Sequence, residues 1–160
     1  DELATALGER RLHRNFQGYT TDTARVMIGF GASSIGALPQ GYVQNATPLR
    51  GYFEAVAAGR LPVARGFALV PEDRLRGDVI ERLMCDMWVD LDRICRRHHT
   101  DSGHFDDDIG KLAALRDDGI VNIDGHRISV TERGRPLVRL VAAAFDGYLA
   151  DGGIRHSRAV

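Results

Sequence analysis

Cysteine and lysine are scarce in this chain of 160 residues. Cys85 and Cys95 are the only cysteines, and two thiols ten positions apart form neither a CxxC redox motif nor a zinc signature. Long apolar runs are also missing: none approaches the roughly 20 residues that span a bilayer. No charged-then-apolar secretory leader opens the chain. We therefore expect a cytoplasmic protein without a membrane partner.

Net charge is nearly balanced, at −1. A chain without a strong overall charge has no global attraction to nucleic acid or to an acidic membrane surface. The length suits one ordinary domain or two small ones. The opening residues, DELATALGERRL, look like the tail of a helix, and no Met precedes them. We expect the chain to begin inside a longer protein.

Glycine-punctuated and helical segments alternate through the first half. RVMIGFGASSIG predicts a buried strand carrying Val26 and Ile28, whereas HRNFQGYTT before it predicts an irregular segment. LPQGYVQN predicts a turn and a short extended piece, and LPVARGFALV another extended segment. TPLRGYFEAVAAG predicts a helix with Thr47 as N-cap, with Leu49, Phe53 and Val56 inward, and with Gly59 ending it.

The second half predicts helices and one hairpin. Leu75, Val79 and Leu83 form an i, i+4 stripe after Pro71, and Asp90 is placed to cap LDRICRRHH. A helix from Phe105 to Gly119, a hairpin at Asp124-Gly125 and a last helix follow. That last helix is predicted to turn Leu137, Leu140, Val141 and Phe145 inward. Helix, hairpin and helix over about 105–150 predict a winged-helix-like unit.

Alternative interpretations of these segments stay open. A winged helix can bind DNA, but Asp106, Asp107, Asp108, Asp117 and Asp118 would repel phosphates. His98, His99 and His104 could bind a metal or lie at a solvated helix end. Tyr42, Gln44 and Asn45 could face a substrate or form a turn, and GFGASSIG lacks the spacing of a phosphate-binding loop.

HRNFQGYTT followed by IGFGASSIG resembles the C-terminal part of the oxygen-independent coproporphyrinogen III oxidases, a radical S-adenosylmethionine family of haem biosynthesis. The resemblance continues through GYVQN, LPVARGFAL and RGDVIERLMC and covers nearly the whole chain. It implies an α+β, mostly helical chain. Residues 1–45 would be the end of the radical S-adenosylmethionine barrel and its ligand-site segment. Residues 46–160 would be a helical C-terminal domain with the winged-helix-like unit.

The resemblance also implies a reaction and its cofactors. Family members oxidatively decarboxylate two propionates of coproporphyrinogen III to vinyl groups, giving protoporphyrinogen IX. They use S-adenosylmethionine and a [4Fe-4S] cluster, which is held by closely spaced cysteines. This chain has no CxxxCxC, so the cluster would bind to the missing N-terminal part, and we expect the fragment alone to be inactive. The implied partners are coproporphyrinogen III and an electron donor, and the implied state is a monomer without nucleic acid.

Five residues form the expected ligand site. The resemblance implies that Phe16, Gln17 and Ile35 contact S-adenosylmethionine, the last through its backbone. Gln17, and Tyr42 and Gln44 from their place after an apolar strand, are expected to face the substrate. No catalytic residue and no metal ligand is assigned to this chain. Family members often place acids where Ala24, Arg25 and Val26 stand, so an altered substrate or a divergent paralogue is an alternative. A haem-binding relative and a winged-helix interaction or DNA-binding module are the others.

Overall fold

A computed structural model describes residues 1–149 of the chain. The end of the predicted C-terminal domain, residues 150–160, lies outside the described residues. The chain divides into two compact units. The first unit contains Asp1–Arg14, Tyr19–Thr21 and the chain from Pro71 onwards, and the second contains Asn15–Gly18 and Asp22–Val70. The predicted boundary near residue 45, between the end of a barrel and a C-terminal domain, stays a prediction.

Helices and short strands alternate along the described residues. The α-helices are α1 (Glu2–Gly8), α2 (Leu49–Ala57), α3 (Pro71–Asp86), α4 (Leu91–Arg97), α5 (Asp106–Gly110), α6 (Ala113–Asp117) and α7 (Val138–Ala143). Two 3₁₀ helices cover Ser102–Phe105 and Arg135–Leu137. The strands are β1 (His13–Asn15), β2 (Gly18–Thr20), β3 (Ile35–Leu38), β4 (Gly41–Asn45), β5 (Val63–Ala68), β6 (Trp88–Asp90), β7 (Val121–Asp124) and β8 (Arg127–Val130). The expected mixture of helix and sheet is confirmed. None of the helices described is long and apolar enough to cross a membrane.

The core of the first unit lies between α3, the last helices and a small sheet. The predicted stripe on α3 is confirmed: Leu75, Val79 and Leu83 are all buried. They pack in one cluster with residues of α4, the sheet and α7 and with Phe105 and Phe145, whose ring centroids are 5.7 Å apart. Removing these apolar surfaces from water is the main stabilising term of the unit.

The sheet of the first unit has the antiparallel strand order β6-β8-β7. The predicted hairpin is confirmed, although Asp124 pairs with Arg127 and the two-residue turn is therefore Gly125-His126. Gly125 has φ +56, a backbone conformation that glycine adopts without steric cost. The predicted cap of α4 is also confirmed, because Asp90 Oδ1 accepts from the Arg93 backbone N–H at 2.9 Å.

The predicted helix from Phe105 to Gly119 is broken. Asp106–Gly110 and Ala113–Asp117 form separate short helices. Leu112 N–H donates to the Ile109 carbonyl at 3.0 Å, an i to i+3 bond that tightens the turn between them. The glycine at position 110 lowers helix propensity at this point.

The last helix buries a different face from the predicted one. Val141 and Phe145 are buried as expected, but Leu137 and Leu140 are 39% and 55% exposed. The buried side chains of this segment are Val138, Val141, Ala142 and Phe145. Since those four already occupy the i, i+3, i+4, i+7 face, the two leucines lie beside it.

The acidic surface predicted to repel DNA is smaller than the sequence suggests. The Asp108 side chain is only 5% exposed and lies between two cations. Its Oδ2 accepts from Arg76 Nη1 at 2.9 Å, and its Oδ1 accepts from Lys111 Nζ at 2.5 Å. Arg76 Nη1 also donates to the Phe145 carbonyl at 3.0 Å. Asp108 is therefore a buried ion-pair partner. The sequence pattern alone predicts an exposed acid at this position.

A histidine in the β7–β8 turn joins two helix N-termini. His126 Nδ1 lies 2.6 Å from Asp92 Oδ1, and its Nε2 lies 3.1 Å from Asp106 Oδ1. The hydrogen bond to Asp92 is the largest cause that raises the pKa of His126 above its ordinary value; burial acts against it, and the hydrogen bond to Asp106 raises the pKa further. The imidazolium can donate to both carboxylates, so the protonated form stabilises this junction.

This junction predicts a pH-dependent stability. A raised pKa in the folded state contributes stability that is fully present below the unfolded-state pKa of about 6.5 and is lost as pH rises through the folded-state value. We expect His126→Asn to lower the free energy of unfolding more at about pH 5.5 than at about pH 8.5, as measured by urea denaturation. His99→Asn is the matched control, because His99 is exposed and its φ of +55 suits asparagine. An equal effect of His126→Asn at both pH values would contradict the prediction.

The second unit is built around the antiparallel sheet β3-β4-β5. The predicted turn and extended segments at 38–45 and 61–70 correspond to β3–β4 and β5. Gly59, with φ +67, follows α2 as predicted. Pro48, however, occupies the N-cap position expected for Thr47, without a side-chain hydrogen bond.

Two apolar segments of the second unit are more exposed than predicted. Within the described chain the buried strand expected at Val26 and Ile28 does not form; only Met27 bridges Ala37, and Val26 and Ile28 are 48% and 68% exposed. The predicted inner face of α2 is exposed as well, at Leu49, Phe53 and Val56. A strand is buried only when partner elements cover it, and the described residues do not cover these segments.

Candidate ligand-binding site

Phe16 and Gln17 form the two-residue turn of a β-hairpin. HRNFQGYTT was expected to be irregular, but β1 and β2 pair as a two-stranded sheet. Asn15 Oδ1 accepts from the backbone N–H groups of Gln17 and Gly18 at 2.8 and 3.2 Å, which is an Asx turn. Gly18 has φ +144, a backbone conformation that glycine adopts without a steric penalty, and it follows the turn directly. Both turn residues are exposed.

The ring of Phe16 contacts the ring of Tyr42 edge to face. Their centroids are 5.1 Å apart at an interplanar angle of 81°, a favourable arrangement of two aromatic quadrupoles. Tyr42 lies on β4, two residues before Gln44, so both side chains project from the same side of the sheet. The structure thus brings together one residue predicted for the cofactor and one predicted for the substrate.

Ile35 also projects from the Tyr42 side of the sheet. It is the direct partner of Gln44 across β3 and β4, and directly opposed residues share a face. Asn45 N–H donates to the Ser34 carbonyl at 2.9 Å, so Ile35 and Gln44 are a non-hydrogen-bonded pair. The N–H and C=O of Ile35 therefore point away from β4, towards the outer edge of β3.

A glycine lies at this outer edge. A Cβ on Gly29 would be 2.9 Å from the Ile35 carbonyl oxygen and 2.8 Å from the Ser34 Cβ. Only glycine allows the backbone to approach so closely. The glycine-rich segment therefore packs directly against the Ile35 backbone, and the implied contact of that backbone with a ligand stays a prediction.

Asn45 holds the glycine-rich segment in place. Its buried side-chain Nδ2 donates to the carbonyls of Gly29 and Gly31, each at 3.0 Å. Gly31 N–H donates to the Tyr52 hydroxyl on α2 at 3.1 Å. Gln44 Nε2 donates to the Ser33 carbonyl at 3.2 Å. From the sequence, Asn45 could face a substrate or form a turn. In the structure its side chain positions the glycine-rich segment, which the residue pattern could not indicate.

Two residues of β5 complete the same sheet face. Arg65 is the direct partner of Gln44, and Phe67 is the direct partner of Tyr42. The register shifts between Gln44 and Asn45, where β5 carries one extra residue, and such bulges often lie beside binding sites. We call this face the aromatic face; it consists of Ile35, Ala37, Tyr42, Gln44, Arg65 and Phe67. Sequence reasoning missed Arg65 and Phe67, although their i, i+2 spacing in an extended segment was visible.

Two of the three histidines considered as metal ligands contact acidic side chains of α3 instead. His98 Nε2 lies 2.5 Å from Asp78 Oδ2, and His104 Nε2 lies 3.0 Å from Glu72 Oε1. His99 is exposed. Among residues 1–149, no three His, Cys, Asp or Glu side chains are grouped to hold a metal ion.

Known proteins match the chain along its whole length. Residues 69–137 match the HemN C-terminal domain family. The oxygen-independent coproporphyrinogen III oxidase of Bradyrhizobium diazoefficiens is 50% identical over 160 residues, covering 100% of this chain and 36% of that protein. The enzyme of the same name from Escherichia coli is 40% identical, covering 93% of this chain and 33% of that protein. The chain corresponds to the C-terminal third of the oxygen-independent coproporphyrinogen III oxidases.

A solved structure of this family has the same fold. It is described as coproporphyrinogen III oxidase (HemN) from Escherichia coli, a radical SAM enzyme. The TM-score is 0.87 at 39% identity, with 92% of this chain and 34% of that chain covered. The present chain spans about a third of the length of the oxidases it matches.

The cysteines of this chain do not fit an iron–sulfur cluster. Both are buried, and the chain has only two. Burial is the largest cause that raises the pKa of Cys85 from 9.0 to about 11, and burial also raises the pKa of Cys95. Cluster ligands are thiolates, which this environment disfavours. No step of the reaction is therefore assigned to a cluster within these residues.

Proposed function

We propose that this chain is the C-terminal portion of an enzyme that oxidatively decarboxylates coproporphyrinogen III to protoporphyrinogen IX in haem biosynthesis. The observation that carries the proposal is the match over all 160 residues, at 50% identity, to an oxygen-independent coproporphyrinogen III oxidase. The complete enzyme uses S-adenosylmethionine and a [4Fe-4S] cluster bound outside this chain. When bound, these groups supply the one-electron chemistry that removes hydrogen from a propionate side chain.

The second unit supplies one wall of the ligand cavity in this proposal. Phe16 packs on S-adenosylmethionine, Gln17 hydrogen-bonds it, and the backbone of Ile35 binds it beside Gly29. Gln17, Tyr42 and Gln44 face the substrate. Such placement brings the reacting groups within contact range. The contact of Phe16 with Tyr42 supports the proposal, because it puts cofactor and substrate residues side by side.

The remaining architecture follows from the same proposal. Residues 1–45 are the end of the barrel, and residues 46–160 are a C-terminal domain whose residues from about 105 to 150 form a winged-helix-like unit. The barrel covers the exposed apolar side chains of Val26 and Ile28. The enzyme is a cytoplasmic monomer that receives electrons from a donor protein and binds neither nucleic acid nor membrane.

Gln17→Ala tests the proposed site. In the complete protein with its cluster intact, under anoxic and reducing conditions, we expect conversion of coproporphyrinogen III to fall about 10- to 100-fold, because the reacting groups lose their alignment. The fold, measured by circular dichroism, is unchanged, since Gln17 is an exposed turn residue. Product is measured by chromatography of the oxidised porphyrins.

Gln40→Ala is the matched control. Gln40 lies in the β3–β4 turn, where it is also exposed, and we expect wild-type conversion from that variant. Equal activity of both variants would remove Gln17 from the site. A complete protein that leaves coproporphyrinogen III unchanged but takes up haem, with a strong Soret band, would replace the proposed reaction by haem binding.

A further inference from the structure

The aromatic face carries one cation with no assigned role. Arg65 lies on β5 directly opposite Gln44. The next pair on the same face, Tyr42 and Phe67, is two residues further along the two strands. Its guanidinium forms no ion pair and no hydrogen bond with any residue from 1 to 149. Holding an arginine side chain in one orientation costs rotamer entropy, which a bound partner offsets. An exposed, unpaired guanidinium on a face of aromatic side chains is arranged to meet a planar anion.

The charge of the second unit points to the same kind of ligand. This unit contains four arginines and two acids, Asp22 and Glu54, a net charge of +2 in a chain of net charge −1. Arg50 is already paired with Glu54 at 2.7 Å. Of the four, only Arg65 belongs to a strand of the sheet. Positive charge is thus concentrated in the unit that presents the aromatic face.

We propose that Arg65 binds a propionate carboxylate of the tetrapyrrole substrate and that Phe67 packs with Tyr42 against a pyrrole ring. This inference rests on the proposed function and adds a specificity determinant to it. The guanidinium fork matches a carboxylate in two parallel hydrogen bonds. Directly opposed side chains on a sheet have Cβ atoms about 5 Å apart, so Gln44 can donate to or accept from the same ligand. Anchoring one propionate fixes the rotation of the macrocycle over the aromatic face.

Coproporphyrin III, the stable oxidised tetrapyrrole, serves as the binding probe for the complete protein. We expect Arg65→Gln to raise its Kd about 10- to 100-fold, the loss of one charge-assisted contact. Arg65→Lys keeps the charge but not the fork, and we expect an intermediate Kd. Arg60→Gln removes the same charge from the same unit outside the sheet, and its Kd stays within about twofold of the wild type. Circular dichroism checks that each variant is folded.

Two further binding measurements distinguish a propionate of the tetrapyrrole from the carboxylate of S-adenosylmethionine as the partner of Arg65. The tetramethyl ester of coproporphyrin III has no carboxylates, so wild type and Arg65→Gln should bind it equally. S-adenosylmethionine, measured by equilibrium dialysis, should bind both proteins equally. Loss of S-adenosylmethionine binding with unchanged porphyrin binding would overturn the assignment, because Arg65 would then serve the cofactor carboxylate.

The outcomes also separate this inference from the proposed function. A wild-type protein that binds and converts the tetrapyrrole, together with an Arg65→Gln variant of equal affinity, overturns the role of Arg65 alone. An equal loss of affinity in Arg60→Gln and Arg65→Gln also overturns it, since net charge would then explain both. A wild-type protein that neither binds coproporphyrin III nor converts its reduced form overturns the proposed function and this inference with it.

Discussion

Replacing Asp108 with alanine is expected to lower the free energy of unfolding of the first unit by about 3–5 kcal/mol. The variant leaves Arg76, whose side chain is 20% exposed, without its buried partner. Burial acts to lower the pKa of Arg76, but its hydrogen bonds to Glu72 and Asp108 raise it overall. Without Asp108 the guanidinium keeps the desolvation cost and loses one of its compensating contacts. Lys111 loses its carboxylate at the same time.

Urea denaturation followed by tryptophan fluorescence measures this effect. Trp88 is the only tryptophan, and it belongs to the first unit, where Arg10 and Arg127 stack on its ring at 4.0 and 4.3 Å. Asp117→Ala is the control, because Asp117 is 69% exposed and pairs with the exposed Arg116. We expect that control to change stability by less than about 0.5 kcal/mol. Equal effects of the two variants would show that Asp108 is an ordinary surface acid.

Gly41→Ala is expected to cost at least about 3 kcal/mol and to separate β5 from β4. Gly41 has φ +155, and a Cβ there would be 1.9 Å from the Phe67 carbonyl oxygen. No rotamer change relieves a clash with backbone atoms, so the strand itself must move. Because Arg65 and Phe67 lie on β5, the same change is expected to weaken coproporphyrin III binding.

Hydrogen exchange detects the loss of strand pairing. In the wild type the amide of Leu69 donates to the Gln40 carbonyl at 2.9 Å, and we expect this amide and those of β5 to exchange faster in Gly41→Ala. Gly66→Ala is the matched control on β5. A Cβ on Gly66 would have Tyr42 O as its nearest neighbour, at 3.8 Å, an ordinary van der Waals separation. Protection of β5 that is equal in both variants would contradict the role given to Gly41.

Local sequence patterns predicted structure correctly where one short segment contains all the residues that determine it. The α3 stripe of Leu75, Val79 and Leu83, the cap at Asp90 and the β7–β8 hairpin follow from helix period, cap chemistry and turn residues. The same patterns failed for Val26 and Ile28, whose apolar character predicts burial but does not supply the covering element. They also failed for Leu137 and Leu140, because a 3₁₀ turn at Arg135–Leu137 precedes α7 and the 3.6 period does not hold through it.

The candidate site was only partly visible in the sequence. Phe16, Gln17 and Ile35 came from a family resemblance, Tyr42 and Gln44 came from their place after an apolar strand, and the roles of all five stay predictions. The contact of Phe16 with Tyr42 and the pairing of Gln44 with Arg65 depend on which strands pair and in what register. A shift of one residue would turn Arg65 to the opposite face. No property of LPVARGFALV by itself fixes that register.

The sequence by itself determined the α3 stripe, the Asp90 cap, the β7–β8 hairpin and the family resemblance, because helix period, cap chemistry, turn residues and a specific string all lie in neighbouring residues. Only the tertiary structure decided that Asp108 is buried between Arg76 and Lys111, that Asn45 holds the glycine-rich segment, and that Arg65 shares a face with Tyr42. Each of these depends on groups distant in sequence, and their free energies are set by burial and partner distance, which arise only when the chain has packed.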